Sequence, residues 1–154
     1  MPFQRAIALI FALILCLATP WAQADGTAEV EALLQNKQWA LAQQRIQTLT
    51  QQSPQSAQSP QWRLMASQAL AGQGKTTEAM AILQALTQEF PELPEPHNNL
   101  GVLWAAQGQL DAAAASLQLA IQARPLYKTA LKNLGDVYSA MAQDAYQKAN
   151  QIGP

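Results

Sequence analysis

The chain has 154 residues, of which 49 % are hydrophobic and 12 % charged, with a net charge of −1. That length allows one domain, and its 30 Ala and 23 Gln, both helix formers, point to a helical protein with uncharged polar faces. There is no basic surplus of the kind a nucleic-acid binder uses to displace counterions from phosphates. A single Cys excludes a disulfide scaffold, and a single His leaves little for metal or acid–base chemistry.

The first predicted element is a leader. Arg5 supplies a positive start, Ala6 to Ala18 is free of charged or strongly polar side chains, and Ala22-Gln23-Ala24 precedes Asp25. A basic start, a short apolar run and an Ala-x-Ala site describe a secretory signal peptide over 1–24. The apolar run is too short for a membrane span. Cys16 follows Leu15 inside that run, not a small residue at its end, so it is read as a filler that leaves with the leader and not as a lipid attachment site. Cleavage after Ala24 removes Arg5 and Cys16, leaving residues 25–154 without cysteine and with a net charge of −2. A small, cysteine-free exported chain with this leader suggests the periplasm of a Gram-negative bacterium, with no membrane span after cleavage.

From residue 25 onward the chain repeats with a spacing of 34. Pro60 matches Pro94, and Ala66, Leu100 and Leu134 align. Ser67, Gly101 and Gly135 form a column, as do Leu70, Trp104 and Tyr138. Gly74 pairs with Gly108, Ala79 with Ala113, Leu83 with Leu117, and Pro91 with Pro125. The units are about 25–59, 60–93, 94–127 and 128–154. In the first, Ala42, Ile46, Leu49 and Pro54 sit 37 residues before Ala79, Leu83, Leu86 and Pro91. The three extra residues fall in a polar, proline-bounded loop, 53–60. The first helix of this unit, about Thr27 to Asn36, is predicted to be short.

The unit 94–127 shows the logic of the pattern. Leu100, Leu103 and Trp104 share one face of a helix over 94–107. Gly101 is small where a second helix must pass close, and Gly108 supplies the turn. Leu110, Ala113, Leu117, Ala120 and Ile121 form the answering stripe, which Pro125 stops. The last unit departs from this. Leu131, Leu134, Gly135 and Tyr138 keep their places, but Ala142, Tyr146, Ala149 and Pro154 follow Ala113, Leu117, Ala120 and Pro125 by 29. Five residues are missing where the turn belongs, and no Gly or Pro lies between Tyr138 and Gly153. The spacing predicts one fused helix of about 24 residues, roughly 36 Å long. Its stripe of Leu131, Leu134, Tyr138, Met141, Ala145 and Ala149 is expected to cover the last full pair as a terminal cap.

The combination of Asn99-Leu100-Gly101, Trp104, Gly108, Ala113, Leu117, Ala120 and Pro125 resembles the tetratricopeptide repeat. The unit 60–93 fits from Gly74 onward, with Ser67 in place of the usual Gly. The resemblance implies an all-α superhelix, an α-α solenoid of about seven antiparallel helices with the last one long and capping. It also implies a concave face lined by first-helix side chains that holds an extended peptide or a partner helix. By repeat position that lining is Gln61, Leu64, Gln68 and Ala71, then Glu95, Asn98, Val102 and Ala105, then Thr129, Lys132, Asp136 and Ser139, flanked by Asn99 and Asn133.

Side-chain amides satisfy the backbone of an extended peptide that gives up water on docking. Asn98, Asn99 and Gln68 lead that set, with Asn133 and Lys132 next; asparagine before Leu-Gly also serves to stabilise the helix pair. One subclass of the family grips a C-terminal carboxylate with cations from successive repeats. Here Leu64 and Gln68 occupy the middle and only Lys132 is cationic, so that clamp is not expected. His97 has no second His or Cys with which to form a metal site, and nothing orients it as a base beside a nucleophile. It is read as a packing residue. Pro91, Pro94 and Pro96 are read as a rigid corner. No cofactor and no catalysis are expected. The expected function is a protein- or peptide-binding adaptor or scaffold, possible settings including envelope assembly; the alternative is a self-associating homo-oligomer joined through an exposed apolar edge such as Trp39 or Trp62.

Overall fold

A computed structural model describes residues 21–152. The leader therefore lies outside the described residues, apart from Trp21–Ala24. The described chain is all helical: α1 (Trp21–Gln35), α2 (Trp39–Gln52), the four-residue α3 (Pro54–Ala57), α4 (Pro60–Gly72), α5 (Thr76–Glu89), α6 (Pro94–Ala106), α7 (Leu110–Ala123) and α8 (Lys128–Ile152). Seven of these are long helices, as expected, and each packs on its neighbours in chain order. Two local expectations change. The first helix is not short: it starts at Trp21 and runs through the Ala24–Asp25 boundary, because the alanines there favour helix as much as the residues that follow. The link 53–60 is not all loop, since Pro54, which needs no N–H partner in a first turn, opens the helical turn α3.

Local chemistry sets the ends. Pro60 stands in the first turn of α4 and the Ser59 hydroxyl accepts a bond from the Trp62 N–H at 3.3 Å, capping the helix. The turns α4–α5 and α6–α7 share one pattern, with Gly74 (φ +78°) and Gly108 (φ +75°) in the left-handed region. The N–H groups of Gly74 and Lys75 return to the carbonyls of Ala71 and Leu70, and those of Gly108 and Gln109 to Ala105 and Trp104. The α1–α2 turn repeats this bonding with Lys37 N–H to Leu34 O and Gln38 N–H to Leu33 O. There a lysine, at φ +57°, holds the left-handed position against its own Cβ.

The core falls into three clusters along the stack. Val30, Leu34, Ala42, Ile46, Trp62, Met65 and Ala69 join α1, α2 and α4. Met80, Leu83 and Leu100 join α5 to α6. Ala113, Ala114, Leu117, Ala120, Ala130 and Val137 join α7 to α8. Leu83, Leu86 and Leu117 are fully buried, each contributing about 2 kcal/mol by leaving water. Gly101 has the role the pattern predicts: a Cβ on it would lie 2.7 Å from the Leu117 side chain. Ser67, in the same column, is buried with its hydroxyl donating to Leu64 O at 2.7 Å.

The fused helix is present: α8 runs unbroken for 25 residues. Its packing differs from the predicted stripe. Ala130, Leu134, Val137 and Met141 face α7, while Leu131 and Tyr138 stay exposed. The cap is also partial. α7 has 14 residues and α8 has 25, so Ala142 to Ile152 run past the start of α7 and are exposed throughout. Of the two tryptophans expected at an exposed apolar edge, Trp62 is buried among Met65 and Ala69. Trp39 is half-buried, its ring against Gly72, where a Cβ would stand 2.2 Å from it.

Candidate binding groove

The first helices α1, α4 and α6 line a groove with three adjoining depressions. The central one, about 450 Å3, is formed by Leu34 and Gln35 of α1, Trp39 of α2, Ser67, Gln68, Ala71 and Gly72 of α4, Leu83 of α5, and Asn99, Val102 and Leu103 of α6. No charged side chain among the described residues borders it. Its depth depends on Gly72, which lets the Trp39 ring lie on the α4 backbone.

A second depression of about 450 Å3 shares Leu34, Gln35 and Gln68 with the first and adds Glu31, Gln61, Leu64, Met65 and Glu95. A third, about 260 Å3, lies between α6 and α8 and includes Val102, Ala105, Asn133, Asp136 and Ala140. Val102, 43 % exposed, divides the central and third depressions.

The asparagines form a chain of amides. Asn133 Nδ2 donates to Asn98 Oδ1 at 2.9 Å, and Asn98 Nδ2 donates to Asn99 Oδ1 at 3.1 Å. Asn98 is 4 % exposed, so its donor and acceptor are used to join α6 to α8 and not to meet a ligand. The outer ends, Asn99 Nδ2 and Asn133 Oδ1, have no protein partner among the described residues. They offer one donor and one acceptor, which is what a peptide group needs.

Groove charge is largely internal. Lys132 bonds Asp136 at 2.6 Å, and Glu95 is held by Arg124 at 2.8 Å. Glu31 has no ion-pair partner among the described residues. Of the eight residues singled out from sequence, Leu64, Gln68, Asn99, Val102, Asn133 and Asp136 line the depressions. Asn98 supports them from below, and Lys132 lines none of the three.

Leu34, Gln35, Glu31 and Trp39 were missed. The 37-residue offset of the first unit carries the signal, since it places Glu31 and Leu34 in the columns of Gln68 and Ala71. His97 is buried and its Nε2–H donates to Pro91 O at 3.1 Å, the packing role expected of it at the proline corner. Among the described residues no three His, Cys, Asp or Glu side chains are grouped to hold a metal ion, and no helix is long and apolar enough to cross a membrane.

The sequence profile of the tetratricopeptide repeat matches residues 27–94 and 64–128. The chain belongs to that family. Solved structures agree on the fold. The Sgt2 tetratricopeptide-repeat domain from Aspergillus fumigatus superposes with a TM-score of 0.69 at 15 % identity, covering 83 % of each chain. A chain of the structure of Naa15/Naa10 bound to HypK-THB superposes with a TM-score of 0.67 at 18 % identity, covering 80 % of this chain and 18 % of that one. No curated protein matches the chain in sequence.

Proposed function

We propose that this protein is an adaptor that holds an extended segment of another protein in its groove, with one apolar side chain seated in the central depression. The observation that carries this reading is that depression: its lining is apolar (Leu34, Trp39, Leu83, Val102 and Leu103) and also carries the amides of Gln35, Gln68 and Asn99. Apolar burial supplies affinity, and the amides replace the water bonds lost by the peptide backbone. The unpaired Glu31 beside it favours a neutral or basic segment over an acidic one. Family membership supports binding over catalysis. The leader over 1–24 sends the chain to the periplasm, where the partner is a protein of the cell envelope.

Selection of a random peptide library on the purified protein tests the groove. Enriched peptides share one large apolar residue, and Val102→Asp abolishes their binding while Gln84→Glu, on exposed α5 surface, leaves it intact. Enrichment of acidic peptides without an apolar anchor, or binding indifferent to Val102→Asp, overturns the proposal. Mass spectrometry of the exported chain tests the location: its first residue is Asp25, and a chain retained in the cytoplasm with Met1 contradicts the export step.

A further inference from the structure

The last unit keeps a seat for a second helix that the fold does not fill. In the unit 94–127, Gly101 of α6 receives Leu117 of α7. Gly135 holds the same repeat position on α8, yet a Cβ built there meets nothing within 4 Å. Leu131 and Tyr138 beside it are 46 % and 47 % exposed. The segment that carries the second-helix columns, Ala142, Tyr146 and Ala149, projects into solvent with Tyr146 at 72 % and Ile152 at 83 % exposure. It cannot fold back onto its own unit, because the turn is five residues short and the helix is continuous.

We infer that the occupant of the seat is the same segment of a second copy. Residues 131, 135, 138, 142, 146 and 149 recur at intervals of three and four, so seat and segment form one continuous face of α8. A face that carries both halves of a contact pairs with itself about a two-fold axis. Second helices run antiparallel to first helices in this fold, and antiparallel pairing brings Tyr146 of each copy onto Gly135 of the other, as Leu117 lies on Gly101. The paired charges stay off this face: Asp136 lines the third depression and holds Lys132, and Asp144 with Lys148 pair on their own helix. Shortening a hinge until a chain cannot close on itself is the standard route to such an exchange.

The test uses the full chain with Cys16→Ser. Sedimentation equilibrium gives a concentration-dependent dimer, and Gly135→Leu makes the chain monomeric while its helical content and unfolding temperature in dilute solution are kept. Inserting a five-residue Gly-containing turn after Ser139 restores the 34-residue spacing and also gives a monomer, now closed on itself. Carrying both Gly135→Cys and Tyr146→Cys, the chain oxidises to a covalent dimer, since the two positions are about 16 Å apart along one helix and cannot link within a chain. A chain that stays monomeric up to roughly 1 mM, a dimer indifferent to Gly135→Leu and to the inserted turn, or absence of the cross-link overturns the inference.

Discussion

The units 94–127 and 128–152 begin alike and end differently. Both open on a helix with Leu-Gly and an aromatic three residues later, at Leu100-Gly101-Trp104 and Leu134-Gly135-Tyr138. In the first, Gly108 turns the chain back and Leu117 closes on Gly101. In the second, no turn residue is present and the helix continues straight for 25 residues. One glycine is needed because a neighbour presses on it; the other meets open space. A repeat signature therefore marks a surface built to receive a helix, and a turn decides whether that helix comes from the same unit.

The largest expected contrast lies in the second-helix column. Leu117→Ala removes a fully buried side chain and costs about 2–5 kcal/mol, whereas Tyr146→Ala, measured in dilute solution, changes stability by no more than about 0.5 kcal/mol. Equal losses in denaturant melts would erase the distinction between the two units. Next come the glycines. Gly101→Ala forces the Leu117 side chain out of place at a cost of about 1–3 kcal/mol. Gly135→Ala gains up to about 1 kcal/mol of helix propensity.

The turns sharpen the same contrast. Lys37 occupies the position that Gly74 and Gly108 hold in the other turns, so Lys37→Gly raises stability by about 1 kcal/mol, visible as a higher unfolding temperature. A drop would mean that the lysine side chain makes a compensating contact.

The smallest effect concerns ion pairs between paired helices. Arg45–Glu29, Arg63–Glu89 and Arg124–Glu95 each join the first and second helix of one unit, whereas the pairs of α8 lie within that helix. Two hydrogen bonds from Arg63, 2.6 and 2.8 Å, hold the Glu89 carboxyl below its usual range, with charge attraction adding to them. A lowered folded-state pKa means that this stabilisation is present above the ordinary carboxylate range and is lost as pH falls through the depressed value. Wild type accordingly loses slightly more stability on acidification than Glu89→Gln, by an amount that salt screening reduces. Identical acid profiles in low salt would show that the pair contributes nothing.

Much of this arrangement is legible in the sequence because repeat columns report packing against a fixed neighbour. Gly101, Leu117, Gly74 and Gly108 follow from spacing alone, and so does the unbroken α8, from five missing residues. What spacing could not report is direction. Asn98 stands in a groove-facing column yet turns inward, because Asn133 on the next helix supplies a partner for its amide. Trp62 reads as a free aromatic, but Val30 and Leu34 of α1 pack with it in one cluster and bury it. The extent of the cap depended on the length of α7, which ends the support for α8 after Met141.

The groove between α1, α4 and α6 is the proposed place where another polypeptide is held. Photo-crosslinking in cells from an unnatural side chain at Gln68 or Asn99, against one at Gln84 on α5, tests it most directly. The prediction is one discrete protein adduct shared by Gln68 and Asn99, absent from Gln84 and lost when Val102→Asp is added. Adducts of equal yield at all three positions, or a Gln68 adduct that survives Val102→Asp, would contradict it.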